Sequence, residues 1–322
     1  MTLISKYMAD TNVLILGGCG QVGTELATGL KTLYGNDHVV VSDIKTAAEA
    51  NVDGPYETID VMDKDAIFSV IKKHKITQVY HLAALLSATA EKNPMFGWQL
   101  NMESLLHVLN IAKENHISKL YWPSSIAVFG PGTPKKDTPQ DTVMDPNTVY
   151  GISKLAGERW CEYYYQKYNV DVRSIRYPGL ISYKAEPGGG TTDYAIHIFY
   201  DALKKNSYEC FLSEDTELPM LYMPDAIKAT IALMEAPEDK VKIRSSYNLA
   251  GFSFTPAGLA KEIEKQLPGF SITYKPDFRQ AIAESWPGSI DDSRARADWQ
   301  WSPDYSLEEM VKDMLLNVKK KL

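Results

Sequence analysis

Cysteine is scarce: Cys19, Cys161 and Cys210 are three in 322 residues and stand without metal-ligand spacing. An odd, scattered set argues against a disulfide framework and points to a reducing cytoplasm. No apolar run approaches the roughly 20 residues a membrane span needs. Basic charge is not in excess either. The 34 basic residues face 41 acidic ones, and the net charge of −7 argues against nucleic acid or an anionic membrane as partner. There is no internal repeat and no low-complexity tract. No His/Cys/Asp/Glu cluster has convincing metal spacing, so no metal is expected. Residues 1–10 lack a long apolar stretch and read as a short tail rather than a signal or transit peptide.

What is present is an ordinary globular composition, 44% hydrophobic and 23% charged. Short β-type runs at 13–16, 38–42, 78–82, 119–122 and 170–176 alternate with helical patterns at 22–34, 65–73, 97–115 and 150–168. Val22, Leu26, Leu30 and Leu33 show the helical spacing. Such alternation predicts an α/β fold with a doubly wound parallel sheet. After Tyr177 the texture changes, with Pro178, Gly179 and the run Pro187-Gly-Gly-Gly190. The segment 246–249 is expected to return to the main sheet. The division expected is 1–178 plus 218–250 for the sheet domain, and 179–217 plus 251–322 for a smaller, discontinuous α/β domain.

Gly17-Gly-Cys-Gly20-Gln-Val-Gly23 sits between the first strand and the first helix. Glycines there allow the tight turn, a close approach to a pyrophosphate and tight helix–strand packing, with the helix N-terminus offering N–H groups to phosphates. Asp43 ends the second strand, 20 residues after Gly23, where a carboxylate accepts from both ribose hydroxyls and repels a 2′-phosphate. The pattern predicts a Rossmann domain that binds NAD rather than NADP.

Tyr150 and Lys154 lie four apart on one helical face. For a tyrosine to act as a base near pH 7 its pKa of ~10 must fall by about 3 units. A neighbouring ammonium has the right sign. Ser125, beside Ser124 at the end of the fifth strand, offers a hydroxyl to hold the reacting oxygen. An alcohol held between Ser125 and Tyr150 can give its proton to the tyrosine and a hydride to a nicotinamide. His81, at the end of an apolar strand, reads as a packed histidine, and Tyr163-Tyr-Tyr165 as core or interface.

Gly17–Gly23, His81-Leu-Ala-Ala84, Ser124-Ser125, Tyr150-Gly-Ile-Ser-Lys154 and Arg176-Tyr-Pro-Gly179 resemble the extended short-chain dehydrogenase/reductase superfamily over nearly the whole chain. The resemblance implies catalytic roles for Ser125, Tyr150 and Lys154. It implies cofactor contacts at Gly17, Gly20, Gln21, Val22, Asp43, Ile44, Asp60, Val61, Leu82, Ala83, Ala84, Tyr150, Lys154, Tyr177, Pro178 and Leu180. It also implies a homodimer, with the helices at 97–115 and 150–168 pairing across a twofold axis.

Most extended members act on nucleotide sugars, usually with Arg-Tyr-Phe-Asn after the sixth strand and an arginine that grips the diphosphate. Here Arg176-Tyr-Pro-Gly179 and Leu218 stand at those places, which disfavours an epimerase or dehydratase of that type. A non-catalytic NAD-sensing regulator is disfavoured by the presence of Ser125, Tyr150 and Lys154 together. Instead Leu85-Leu-Ser-Ala88, Pro123-Ser-Ser-Ile-Ala127, Pro187-Gly-Gly-Gly-Thr-Thr-Asp-Tyr194 and Ser285-Trp-Pro-Gly-Ser-Ile-Asp-Asp-Ser-Arg294 resemble the short-chain-type L-threonine 3-dehydrogenases. That implies L-threonine as substrate, with Ser87, Ser125, Tyr150, Thr191, Thr192 and Trp286 around it. The stretch 187–193 is expected to act as a lid.

Overall fold

The computed structural model describes residues 11–114, 116–184 and 189–322, together with the backbone but not the side chain of Ala88. The tail at 1–10, the expected helix end at Asn115 and the Pro187-Gly188 start of the expected lid lie outside the described residues. Val13–Leu16 (β1), Val39–Asp43 (β2), Tyr56–Thr58 (β3), Gln78–His81 (β4) and Lys119–Tyr121 (β5) alternate with helices. β5 resumes past Trp122-Pro123 as Ser124–Ser125 (β6), and Val172–Arg173 (β7) resumes past Ser174 as Ile175–Tyr177 (β8). All pairings in this sheet are parallel, in the order β3-β2-β1-β4-β5-β7. This is the Rossmann arrangement expected from the alternating pattern, and the chain reverses direction across the sheet between β1 and β4. Every residue of β1 and β4 is buried, as a central strand covered by helices on both faces requires.

Past Pro178 come Gly179–Ile181 (β9), Ser207–Cys210 (β10), Leu218–Tyr222 (β11), Tyr247–Asn248 (β12), Phe252–Phe254 (β13) and Ser271–Tyr274 (β14). β12 pairs in parallel with β8, the return expected of 246–249. β11 lies between β9, to which it is parallel, and β13, to which it is antiparallel. β10 and β14 form a separate parallel pair. β11 is shared between two cores by its period of two. Leu218, Met220 and Tyr222 join the core around helix Tyr194–Lys205, whereas Leu221 joins the core that holds helix Gln21–Tyr34 against helix Met223–Glu235.

Two long helices flank the site. Helix Pro94–Lys113 starts three residues earlier than the pattern indicates, because Asn93 caps it from outside and Pro94 suits its first position. Helix Val149–Tyr168 packs beside it. Its first amides are held from two sides: Thr148 accepts from Gly151 N at 3.1 Å, and Glu91 accepts from Val149 N at 2.7 Å. Gly157 lets this helix close on the sheet, since a Cβ there would stand 2.3 Å from the Trp122 ring. Gly157→Ala should therefore lower unfolding free energy by about 1–3 kcal/mol, read by denaturant titration. Unchanged stability would show that the helix and Trp122 yield freely.

Candidate active site

The glycine loop is shaped by close approach. Gly17 has φ +80, and a Cβ on it would lie 2.7 Å from the Ala83 amide nitrogen. A Cβ on Gly23 would lie 2.6 Å from Gly18 Cα. Helix Gln21–Tyr34 opens at Gly20 with no side-chain cap, which leaves its first N–H groups for an anion. Gln21 Nε2 is buried and lacks a protein hydrogen-bond partner. Asp43 ends β2, where one carboxylate oxygen accepts from Cys19 N at 3.0 Å. An uncapped helix end, a glycine cradle and a carboxylate at the second strand fit the diphosphate and ribose of a dinucleotide.

Two cavities of about 260 Å³ each continue from this loop. The first is lined by Gly17, Gly20, Asp43, Ile44, Asp60, Val61, Leu82, Ala83 and Ala84. The second shares Gly17, Gly20, Leu82 and Ala84 and adds Gln21, Val22, Ser87, Ser125, Tyr150, Lys154, Tyr177, Pro178, Leu180, Thr191, Thr192 and Trp286. The residues singled out from sequence thus meet in one continuous crevice. A larger hollow of about 640 Å³, between helix Gln21–Tyr34 and the segment 45–53, contains none of Ser125, Tyr150 or Lys154 and is not this site.

At the centre, Lys154 is almost wholly buried and donates to Pro123 O at 2.6 Å. Its ammonium sits 4.4 Å over the Trp122 ring and 5.5 Å from the Tyr150 ring centre. Burial pushes its pKa down to about 7, against the fields of Cys161 and Glu158, which favour the charged form. Tyr150 is pushed up to about 12 by burial, with a hydrogen bond to Ser125 pulling the other way. In the protein alone, burial outweighs that hydrogen bond and Tyr150 keeps its proton. His81 is packed, as expected, with Nε2 2.9 Å from Ser104 Oγ, and burial drives it down to about 3, so it is neutral.

At the far end, Ser87 is buried, Trp286 forms a wall, and the Thr191 hydroxyl is buried with no hydrogen-bond partner among the described residues. Asp193, expected only as the end of the lid and not among the residues around the substrate, also lines the cavity. It accepts from Gly189 N at 2.8 Å and Gly190 N at 2.6 Å. Asn101 was missed as well. It brackets Leu85, accepting from its N at 2.8 Å and donating to its O at 3.1 Å, and reaches Ser153 Oγ at 3.2 Å. Its signal is a buried amide on an otherwise apolar helix face. Glu158 was the third omission, although it follows Tyr150 and Lys154 on the same face. It holds Arg176 at 2.8 and 2.9 Å and accepts from Ser124 Oγ at 2.6 Å.

A model of the NAD dependent epimerase/dehydratase family matches residues 13–250. An L-threonine dehydrogenase from Cupriavidus necator, solved in its holo form, is 57% identical, with a TM-score of 0.93 over 95% of this chain and 99% of that one. An L-threonine dehydrogenase from Phytophthora infestans is 47% identical, with a TM-score of 0.93 over 97% of this chain and 100% of that one. Among curated relatives, an uncharacterised epimerase/dehydratase of Staphylococcus haemolyticus is 46% identical over 96% of this chain and 98% of its own length. A UDP-glucose 4-epimerase from Thermotoga maritima, 21% identical with a TM-score of 0.82, shares the fold.

Proposed function

This chain belongs to the NAD dependent epimerase/dehydratase family and uses NAD, and from that premise we propose that it oxidises L-threonine at its β-carbon to 2-amino-3-ketobutyrate. What carries the reading is the full-length likeness to L-threonine dehydrogenases, at 57% and 47% identity, against 21% to the UDP-glucose epimerase. The local structure agrees. Leu218, where nucleotide-sugar enzymes carry a diphosphate-gripping arginine, is fully buried in β11 opposite Phe254 and offers no charge. The substrate end is compact and hydroxyl-rich, which suits a small zwitterion.

Bound NAD supplies the hydride acceptor and a positively charged ring, whose sign favours phenolate. Ser125 holds the substrate hydroxyl, and Tyr150 takes its proton as the hydride leaves the same carbon. Lys154 favours the phenolate form through its ammonium. Ser87, Thr191 and Thr192 receive the carboxylate and ammonium of the amino acid. The unpartnered Thr191 hydroxyl supports this, because a buried hydroxyl without a bond costs free energy that a ligand recovers. Trp286 closes the pocket. Asp43 selects NAD over NADP.

A homodimer is part of the same proposal. Met95 and Trp98 on helix Pro94–Lys113, and Ile152, Trp160 and Tyr163 on helix Val149–Tyr168, expose apolar surface on adjacent helices. One similar solved protein, 46% identical, is described as monomeric. Light scattering should give twice the 36.1 kDa chain mass, and Trp160→Glu should return the mass to one chain. A monomeric wild type would remove the dimer from the proposal.

Absorbance at 340 nm should rise with NAD and L-threonine, and not with D-threonine, a UDP-sugar, or NADP in place of NAD. Tyr150→Phe should cut kcat by at least about 100-fold. Silence with L-threonine, or full turnover by the phenylalanine variant, would sink the reaction or the mechanism respectively. The pH profile tests Lys154. The ammonium lies 5.5 Å from the Tyr150 ring centre, and a unit charge at about that distance, at an effective dielectric of ~20, is worth about 3 kcal/mol, or about 2 pK units. Because the ammonium favours phenolate, Lys154→Met should move the rise of log kcat about 2 pH units upward. A profile displaced downward, or not at all, would contradict that role.

A further inference from the structure

Lys135 lies on the loop that follows the Ile126–Val128 turn and so begins directly after Ser125. It is outside the crevice, yet its ammonium reaches the C-terminal end of helix Arg279–Ser285. Nζ donates to Ser285 O at 2.7 Å, to Glu284 O at 3.1 Å and to Trp286 O at 3.3 Å, with Gly130 O next at 3.4 Å. A helix leaves its last carbonyls without partners inside the helix, and that end carries the negative pole of the dipole. An ammonium carries three donors. Three donors therefore face four carbonyls, three of them successive at one helix end.

Trp286 is the residue at that end, and its indole forms the wall of the second cavity. A seven-residue helix gives it little support of its own. The 135–138 segment supplies the rest through the backbone. Gly288 N donates to Lys135 O at 2.8 Å, Thr138 N to Ser289 O at 3.0 Å, and Asp291 N to Thr138 O at 3.1 Å. Asp137 N adds a bond to Ser289 Oγ at 2.7 Å. On its other side the same loop is tied down where Gly132 N donates to Asp145 at 2.9 Å.

We propose that Lys135 is a positioning residue that fixes the Trp286 wall relative to Ser125 and thereby sets how closely the substrate fits. For the identity of that substrate, the inference rests on the dehydrogenase reading above. Lys135→Met keeps the length of the side chain and removes every donor, while Lys135→Arg keeps the charge. The methionine variant should raise KM for L-threonine about tenfold, with kcat within about twofold and KM for NAD unchanged. The arginine variant should recover most of the loss. In a Trp286→Ala background, Lys135→Met should change KM by less than about twofold, because the wall it positions is gone.

Amide hydrogen exchange on the ligand-free protein gives a readout independent of substrate. The methionine variant should exchange faster over residues 284–291 and unchanged over β1 and β4. Unaltered exchange at 284–291 overturns the clamp. Faster exchange with an unaltered KM overturns its role in fit, as does a tenfold KM effect that persists without Trp286. If the wild type leaves L-threonine untouched, the dehydrogenase reading falls by itself, and the exchange experiment still decides the clamp.

Discussion

Helix Val149–Tyr168, the serine strand β6 and the strand β8 that carries Tyr177 are joined by one fully buried ion pair, Glu158 with Arg176. Arg176 spends its fork on both carboxylate oxygens of Glu158 and turns its remaining amino group to Gln140 O and Asn248 Oδ1, each at 3.0 Å. Ser124 closes the network by donating to the same carboxylate. Asn248 carries it onward, accepting nothing further from Arg176 but donating to Thr138 O and Asp291 O at 3.1 and 3.2 Å. A charge pair this deep is tolerable only when its hydrogen-bonding capacity is filled, and removing one partner costs about 3–5 kcal/mol. Its consequence here is geometric. β6, β8, β12 and helix Val149–Tyr168 cannot move independently, so Ser125, next to Ser124 in the network, and Lys154, one turn before Glu158, keep their relation.

Within that framework burial acts in opposite directions on Tyr150 and Lys154. Tyr150 is buried enough to hold its proton to about 12, and Lys154 is buried enough to fall to about 7. With Lys154 taking a hydrogen bond acceptor in Pro123 O and an aromatic face in Trp122, the protein alone provides a polarisable seat for an ammonium and no partner carboxylate in contact with it. Glu158 acts on it from one turn away while committed to Arg176. Positive charge beside Tyr150, from the lysine's protonated form or from a cationic ring, is what favours its phenolate.

Much of this was legible in the sequence, for identifiable reasons. The glycine loop, Asp43 and the Tyr150–Lys154 spacing are local patterns whose geometry is set within one turn of chain. The doubly wound sheet follows from strand–helix alternation. What escaped was built from distant segments. Glu158 and Arg176 are 18 residues apart and meet only through the sheet. Asn101 supports a backbone segment 16 residues before it. Lys135 meets Trp286 across 151 positions. Tyr150's upward shift was also illegible, since the sequence shows the neighbouring lysine but not the depth of the site.

β11 leaves no place for a charged side chain at 218. In an extended strand, successive side chains face opposite sides, so Leu218, Met220 and Tyr222 are committed to one core and Leu221 to the other. An arginine at 218 would have to leave the sheet's core to reach a ligand, or bury an unpaired guanidinium there. Gly179, paired with Met220, has Thr192 so close that a Cβ on it would lie 2.8 Å from the threonine methyl. Gly179 thus lets Thr192 pack directly against β9. Thr191, Ser125 and Trp286 line the second cavity together and bring no charged group to it.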